Sequence, residues 1–292
     1  MNCFLSTSVY KNLALDKAIE NCGNHTNGMV ELSAPHPHIS NDEIDIMLKK
    51  YINKGFIFTF HNYFPPPEKS FVLNIAGESN KGIKQCKNLI YNVLDLSNVC
   101  NTNIYGIHAG YLGKATPTES GYFNFKGQSN YKESLENAAM FINNVIDDFD
   151  REGMVLLIEN LFPSRTKFHS LFCSLEQIDD LLSLIPENVG LLLDLGHLNI
   201  SANIFGFDRD EFLDNYLEKY GSRLAEIHIS ENNGYVDEHL PLTKQSWQLN
   251  ALKQIKQIEI EITNERVYCL ECRKASEKEI IESLGLINEV IV

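Results

Sequence analysis

Met154-Val155-Leu156-Leu157-Ile158-Glu159 is a short apolar run closed by an acid, and the same arrangement recurs along the chain. Val189–Leu193 ends on Asp194, Phe56–Phe60 on His61, Asn103–Ile107 on His108, Arg223–Ile227 on His228 and Val267–Leu270 on Glu271. Their length and composition predict β-strands, and Cys3–Ser8 and Met29–Ser33 bring the set to eight. Between the strands, helical periodicity predicts Leu13–Asn21, Asp42–Asn53, Lys81–Asn98, Tyr131–Asp150, Leu175–Ile185, Arg209–Lys219, Lys244–Gln257 and Ser276–Val290 as helices. Strict alternation of strand and helix predicts an α/β chain folded as a (β/α)8 barrel, one domain over residues 1–292. A doubly wound sheet fits less well, because no G-x-G-x-x-G turn follows the first strand and no P-loop occurs. Two segments stay open. Ile258-Glu259-Ile260-Glu261-Ile262 suits either a short strand or the end of the seventh helix, and Tyr111–Asn130 reads as a mobile or substrate-covering insertion.

A hydrophobic share of 43% over 292 residues suits a globular chain with a large core. The formal charge of -14 argues against broad attraction to nucleic acid or an anionic membrane, although a bound metal could reverse the field inside a cleft. The N-terminus shows no signal-peptide pattern, and no apolar run approaches the ~20 residues that span a bilayer, so no membrane partner is expected. Seven cysteines, an odd number with Cys269 and Cys272 as the one C-x-x-C pair, suit a reducing, cytoplasmic location better than a disulfide framework.

Barrel enzymes place their sites at the C-terminal mouth, and six strand ends converge there on His61, His108, Glu159, Asp194, His228 and Glu271. His197 lies three residues past Asp194, and Asp237 and His239 follow the seventh strand. Imidazole and carboxylate are zinc or manganese ligands, and one carboxylate can bridge two ions. A lone strand-end histidine is usually a structural group, and a lone aspartate before a loop is usually a cap. Repetition along one rim is what points to a centre holding up to three zinc ions, with manganese as the alternative. Substrate contacts are expected from Tyr63, Lys114, Arg165 and Arg273. Tyr63 precedes three prolines that equally explain a stiff turn. Lys126, Lys167 and Lys244 add scattered rather than clustered charge, which suits one or two phosphates better than a duplex. Glu31, His36 and His38 fit substrate contacts and structural roles equally, while His25 and His169 read as surface residues. No nucleophile elbow or activated cysteine competes with the metal reading.

Taken in order on successive strands, Gly106-Ile107-His108-Ala109-Gly110, Leu157-Ile158-Glu159-Asn160, Leu193-Asp194-Leu195-Gly196-His197, Glu226-Ile227-His228 and Asp237-Glu238-His239 resemble the xylose isomerase-like barrels. That superfamily includes AP endonuclease family 2 (endonuclease IV-like) DNA repair enzymes that use three zinc ions, as well as sugar phosphate isomerases and epimerases. The resemblance, from Phe56 to Glu271, implies that His61 and His108 bind one zinc, bridged by Glu159 to a second that Asp194, His228 and Glu271 complete. It implies a third zinc held by His197, Asp237 and His239. The isomerases and epimerases are implied to need only the positions matching Glu159, Asp194, His228 and Glu271, with one ion.

The full set favours phosphoester hydrolysis, because phosphoryl transfer builds charge on attacking, equatorial and leaving oxygens and several cations can neutralise it. Glu159 and Glu271 would be the catalytic carboxylates, positioning metals and water. The alternative is a sugar or sugar-phosphate isomerase or epimerase in which those two glutamates move a proton beside a carbonyl, and a third reading is a non-catalytic binder. The expected substrate is a small phosphorylated sugar or nucleotide-sugar, with DNA the weaker alternative.

Overall fold

The computed structural model describes residues 3–100, 102–117, 123–163 and 168–292. Eight strands, β1 (Cys3–Ser6), β2 (Met29–Leu32), β3 (Ile57–His61), β4 (Ile104–His108), β7 (Val155–Glu159), β8 (Gly190–Asp194), β9 (Leu224–Ile229) and β10 (Val267–Leu270), pair in parallel and close a barrel in the order β1-β10-β9-β8-β7-β4-β3-β2. Each of the eight overlaps its expected segment. Helices α1 (Leu15–Thr26), α2 (Asn41–Ile52), α3 (Asn80–Cys100), α4 (Tyr131–Arg151), α5 (Leu175–Leu182), α7 (Arg209–Tyr220), α8 (Gln248–Ile255) and α9 (Glu277–Ile291) overlap the expected helices. Their starts are chemically marked: Ser40 with Glu43 and Ser276 with Glu279 form reciprocal capping boxes, and Asn130, Ser174 and Asp208 accept from first-turn amides.

Three segments differ from the expectation. An additional helix, α6 (Leu195–Phe205), starts directly after β8. It has no polar face to mark it, since every residue from Leu195 to Ala202 is buried. The insertion after β4 contains an antiparallel hairpin, β5 (Lys114–Pro117) with β6 (Phe123–Lys126). Ile258–Ile262 is neither strand nor helix; Ile260 and Ile262 instead pack against the barrel floor. The seventh expected helix is also shorter at its start, because Thr243 and Ser246 form a turn before α8.

Alternation along the strands separates two cores. Outward residues such as Leu156, Ile158, Leu191 and Leu193 join the helices in one large apolar cluster. Inside the barrel, Ile104, Leu157, Leu192 and Ala225 form a small apolar plug with Ile260 and Ile262 beneath it. Further along the same strands, two residues past Leu157 and Leu192 and four past Ile104, the same inward face carries Glu159, Asp194 and His108.

Candidate metal centre

Register fixes the level of the strand-end side chains. His108 stands opposite Glu159, Asp194 opposite His228, and His228 opposite Cys269, so the ends of β4, β7, β8 and β9 meet in one ring. Glu271 lies one residue past β10, with its amide donating to the Ile229 carbonyl at 3.0 Å. At the start of α6, Asp194 is the N-cap: its Oδ1 accepts from the His197 amide at 2.7 Å. The Asn160 side chain ties this junction to β7, accepting from the Asp194 amide at 2.7 Å and donating to its carbonyl at 3.0 Å. Asp237 and His239 ride on a loop closed by mutual backbone hydrogen bonds of Glu231 and Leu240 at 2.9 and 2.7 Å.

All nine candidate ligands come together. His61 Nε2 and His108 Nε2 lie 3.5 and 3.2 Å from Glu159 Oε2, while His197 Nδ1 lies 3.2 Å from Glu159 Oε1. His228 Nδ1 is 3.9 Å from Glu159 Oε1 and 3.4 Å from Glu271 Oε2. His197 Nε2 faces Asp194 Oδ2 at 3.7 Å and Asp237 Oδ2 at 3.9 Å, and His239 Nε2 faces Asp237 Oδ2 at 2.7 Å. Potential ligand atoms of His61, His108 and Glu159, of Glu159, Asp194 and His197, and of Asp194, His228 and Glu271 gather within 4.8 Å in each set. Glu159 and Asp194 are the shared members.

The far side of four of the five rings is held by the protein, while His61 Nδ1 is buried without a hydrogen-bond partner among the described residues. His228 Nε2 donates to Glu31 Oε2 at 2.7 Å, His197 Nδ1 to the Asn160 carbonyl at 2.8 Å and His239 Nδ1 to the Glu271 carbonyl at 3.0 Å, while His108 Nδ1 shares a hydrogen bond of 2.8 Å with the Tyr111 hydroxyl. At His228, His197 and His239 such bonds fix the tautomer and present the opposite nitrogen as a lone-pair donor, as outer partners of metal-bound histidines do, whereas His108 Nε2 lies 2.9 Å from Asn62 Nδ2. Glu271 is held in the same way, its Oε1 accepting from Ser8 Oγ at 3.0 Å. Meanwhile Glu159 Oε2, Asp194 Oδ2, Asp237 Oδ1 and His228 Nδ1 are sealed from solvent without a hydrogen-bond partner among the described residues. Buried polar atoms left without partners, surrounded by other lone-pair donors, fit a divalent cation of the zinc or manganese type.

The electrostatics agree with that donor set. Burial opposes ionisation of Glu159, yet the His108 and His61 imidazoles hold its carboxyl well below the usual range; His228 outweighs burial at Glu271 in the same way. Burial also opposes charging of His197 and His228, but Asp194 lifts the first and Glu31 with Glu271 the second well above an ordinary imidazole. Asp194 itself is pushed up, chiefly by burial. Positive charge is therefore stabilised at His197 and His228, whereas burial holds His61 below an ordinary imidazole.

Among the other expected site residues, Arg273 sits close enough to Glu271 for its charge to help lower that carboxyl, and its buried Nε has no hydrogen-bond partner among the described residues. Lys114 is exposed at the base of the hairpin. Tyr63 is engaged inside the protein: its hydroxyl accepts from the Leu73 amide at 2.8 Å and its ring packs edge-on against Phe71 and Phe123. Arg165 and Lys167 lie outside the described residues. His36 and His38 bond to the Leu13 and Pro66 carbonyls and so serve the loop after β2. His169, expected at the surface, is buried, stacked on Phe125 and bonded to the Leu112 carbonyl, because the hairpin folds over it. Ser8, Tyr111 and Asn160 carry supporting roles that the sequence did not announce; of these only Asn160, directly after Glu159, stood next to a candidate ligand.

A closed (β/α)8 barrel with an imidazole and carboxylate ring at its mouth defines a class of fold and site. The chain belongs to the xylose isomerase-like TIM barrel family, whose model matches residues 24–289. An uncharacterized protein of Methanocaldococcus jannaschii is 27% identical over 217 residues, covering 72% of this chain and 74% of that protein. Among solved structures, a D-tagatose 3-epimerase-like protein superposes with a TM-score of 0.74 at 20% identity, covering 100% of both chains. An AP endonuclease, family 2, from Brucella melitensis gives 0.63 at 16% identity, with 99% of both chains covered. No helix among the described residues is long and apolar enough to cross a membrane.

Proposed function

We propose that this protein is a divalent-metal-dependent enzyme that hydrolyses a phosphate ester of a small sugar-containing substrate, using up to three zinc ions, with manganese as the alternative. The observation that carries this reading is the position of Glu159, whose two oxygens are faced by histidines of different sets, His61 and His108 on one side and His228 Nδ1 on the other. A carboxylate engaged at both oxygens suits a bridge between cations and is poorly placed to act as a free base. His61, His108 and Glu159 would hold one ion, Asp194, His228 and Glu271 a second, and His197, Asp237 and His239 a third. When bound, such ions activate water and neutralise charge on a phosphate. The chain supplies the rest. Glu31, Asn160, Tyr111 and Ser8 keep the ligands in register, and Arg273 offers a guanidinium to a phosphate oxygen. The seven cysteines, all free and buried, suit work in a reducing cytoplasm.

A second reading, sugar or sugar-phosphate epimerisation through Glu159 and Glu271, is favoured by one observation: the full-length superposition on a D-tagatose 3-epimerase-like protein. Metal content separates the two. Hydrolysis expects close to three equivalents after mild purification and phosphate release from a panel of sugar phosphates, nucleotide-sugars and an abasic-site duplex, abolished by Glu271→Gln. One exchangeable ion together with solvent deuterium appearing at a sugar carbon would overturn hydrolysis in favour of epimerisation.

A further inference from the structure

Behind the outer ligands runs a chain of amides that touches no prospective ion. Asn232, on the loop that carries Asp237 and His239, donates through Nδ2 to the Gly196 carbonyl at 2.9 Å. Gly196 lies in the first turn of α6, beside His197. Asn232 Oδ1 accepts from the Gly234 amide at 2.9 Å and from Asn199 Nδ2 at 2.9 Å. Asn199 Oδ1 in turn accepts from Arg209 at 2.8 Å, and the Arg209 guanidinium lies 4.3 Å from the centroid of the Trp247 ring. The approach is close: a Cβ at Gly196 would meet Asn232 Nδ2, Asp194 Oδ1 and the Ser230 carbonyl, each at 3.1 Å.

We propose that Asn232 is the positioning residue of the outer third of the metal centre, joining His197 on α6 to Asp237 and His239 on the loop so that the three form one unit. This rests on the multinuclear reading above. The geometry sets this third apart from the rest. The ligands facing the inner ions sit on or next to barrel strands, whose register hydrogen bonds hold them; His197, Asp237 and His239 sit beyond the strands, on elements joined side to side by Asn232. Removing the amide therefore loosens one set of ligands and spares the other. Gly196 is required for the same reason, since any side chain there displaces Asn232 from α6.

The test is metal stoichiometry and affinity, read on the full chain by elemental analysis and by competition with a chromophoric chelator. Wild type is expected to hold three equivalents of zinc. Asn232→Ala is expected to retain two with unchanged affinity while the third weakens about 10–100-fold, the usual effect of losing an outer partner of a metal site. Gly196→Ala should weaken the same equivalent, and Asn199→Ala, which leaves the Asn232 bond to Gly196 in place, should do so less. Thermal unfolding of each variant in chelator separates loosening from misfolding, and if Asn232→Ala does not fold, Asn199→Ala decides. Three equivalents of unaltered affinity in the variants, with three in wild type, would overturn the role of Asn232 alone. Fewer than three in wild type would overturn the multinuclear reading and this inference with it.

Discussion

The two ends of the barrel interior are built from the same strands and differ in almost everything else. On β7, Leu157 and Glu159 share one inward face two residues apart; Leu157 belongs to the apolar plug and Glu159 to the ring at the mouth. On β8 the same step separates Leu192 from Asp194, and on β4 twice that step separates Ile104 from His108, with Gly106 between them. Below, atoms are satisfied by contact alone. Above, buried carboxylates and imidazoles face one another with lone pairs unclaimed. Burying such groups without a counter-charge is unfavourable, and their retention at the mouth is what burial of apolar surface below has to offset. Stability and chemistry are thus stacked along single strands and should respond to substitution independently.

The strongest test of that separation is Glu159→Ala. It should lower metal affinity by more than about 100-fold, beyond the effect of losing an outer partner, while costing the chelator-treated protein less urea resistance at neutral pH than truncation of a plug residue does, since only the contacts through which the imidazoles hold Glu159 ionised are lost. A large loss of stability in the metal-free variant would break the comparison. Next in size is Leu157→Ala, expected to cost about 2–5 kcal/mol in denaturant unfolding because a plug residue leaves a cavity. Its metal stoichiometry should equal that of wild type; loss of an ion would show that the floor and the mouth are coupled.

A smaller effect is expected where the two ends meet. Glu31, fully buried, bonds His228 from the inner side. Glu31→Ala should weaken metal binding by about 10–100-fold, and Glu31→Gln, which keeps an acceptor oxygen for His228 Nε2, should weaken it less. Chelator competition that finds both variants equal would show that the charge of Glu31, rather than its hydrogen bond, is what matters at His228.

The strands were legible because each is a short apolar run with a polar residue at its end, and β7 and β8 needed only that pattern. The ring of side chains at the mouth was legible because types that are rare at strand ends recur there in order. What escaped had no periodic mark. Helix α6 buries polar side chains, His197, Asn199 and Ser201, together with its apolar ones, so no exposed face stands out, although Asp194 as its cap and Gly206 in the left-handed conformation after it (φ 76°) were both present as signals. The supporting contacts escaped for a different reason: Ser8 reaches Glu271 across 263 positions and Glu31 reaches His228 across 197, distances over which one sequence carries no pattern. His169 was misjudged because the hairpin that buries it looked like open loop.

One detail of the β8–α6 junction bears on how related chains should be sorted. Asp194 spends one oxygen opening a helix and has only the other to offer elsewhere. A descendant that abandoned the chemistry but kept the barrel would still need a helix-opening side chain at this place, so aspartate, asparagine, serine or threonine could persist there under folding pressure alone. Residue 194 is therefore a poor witness to activity. Positions 61, 197 and 239 open no helix, so their loss in a related chain would report a change in the ring at the mouth rather than in the fold.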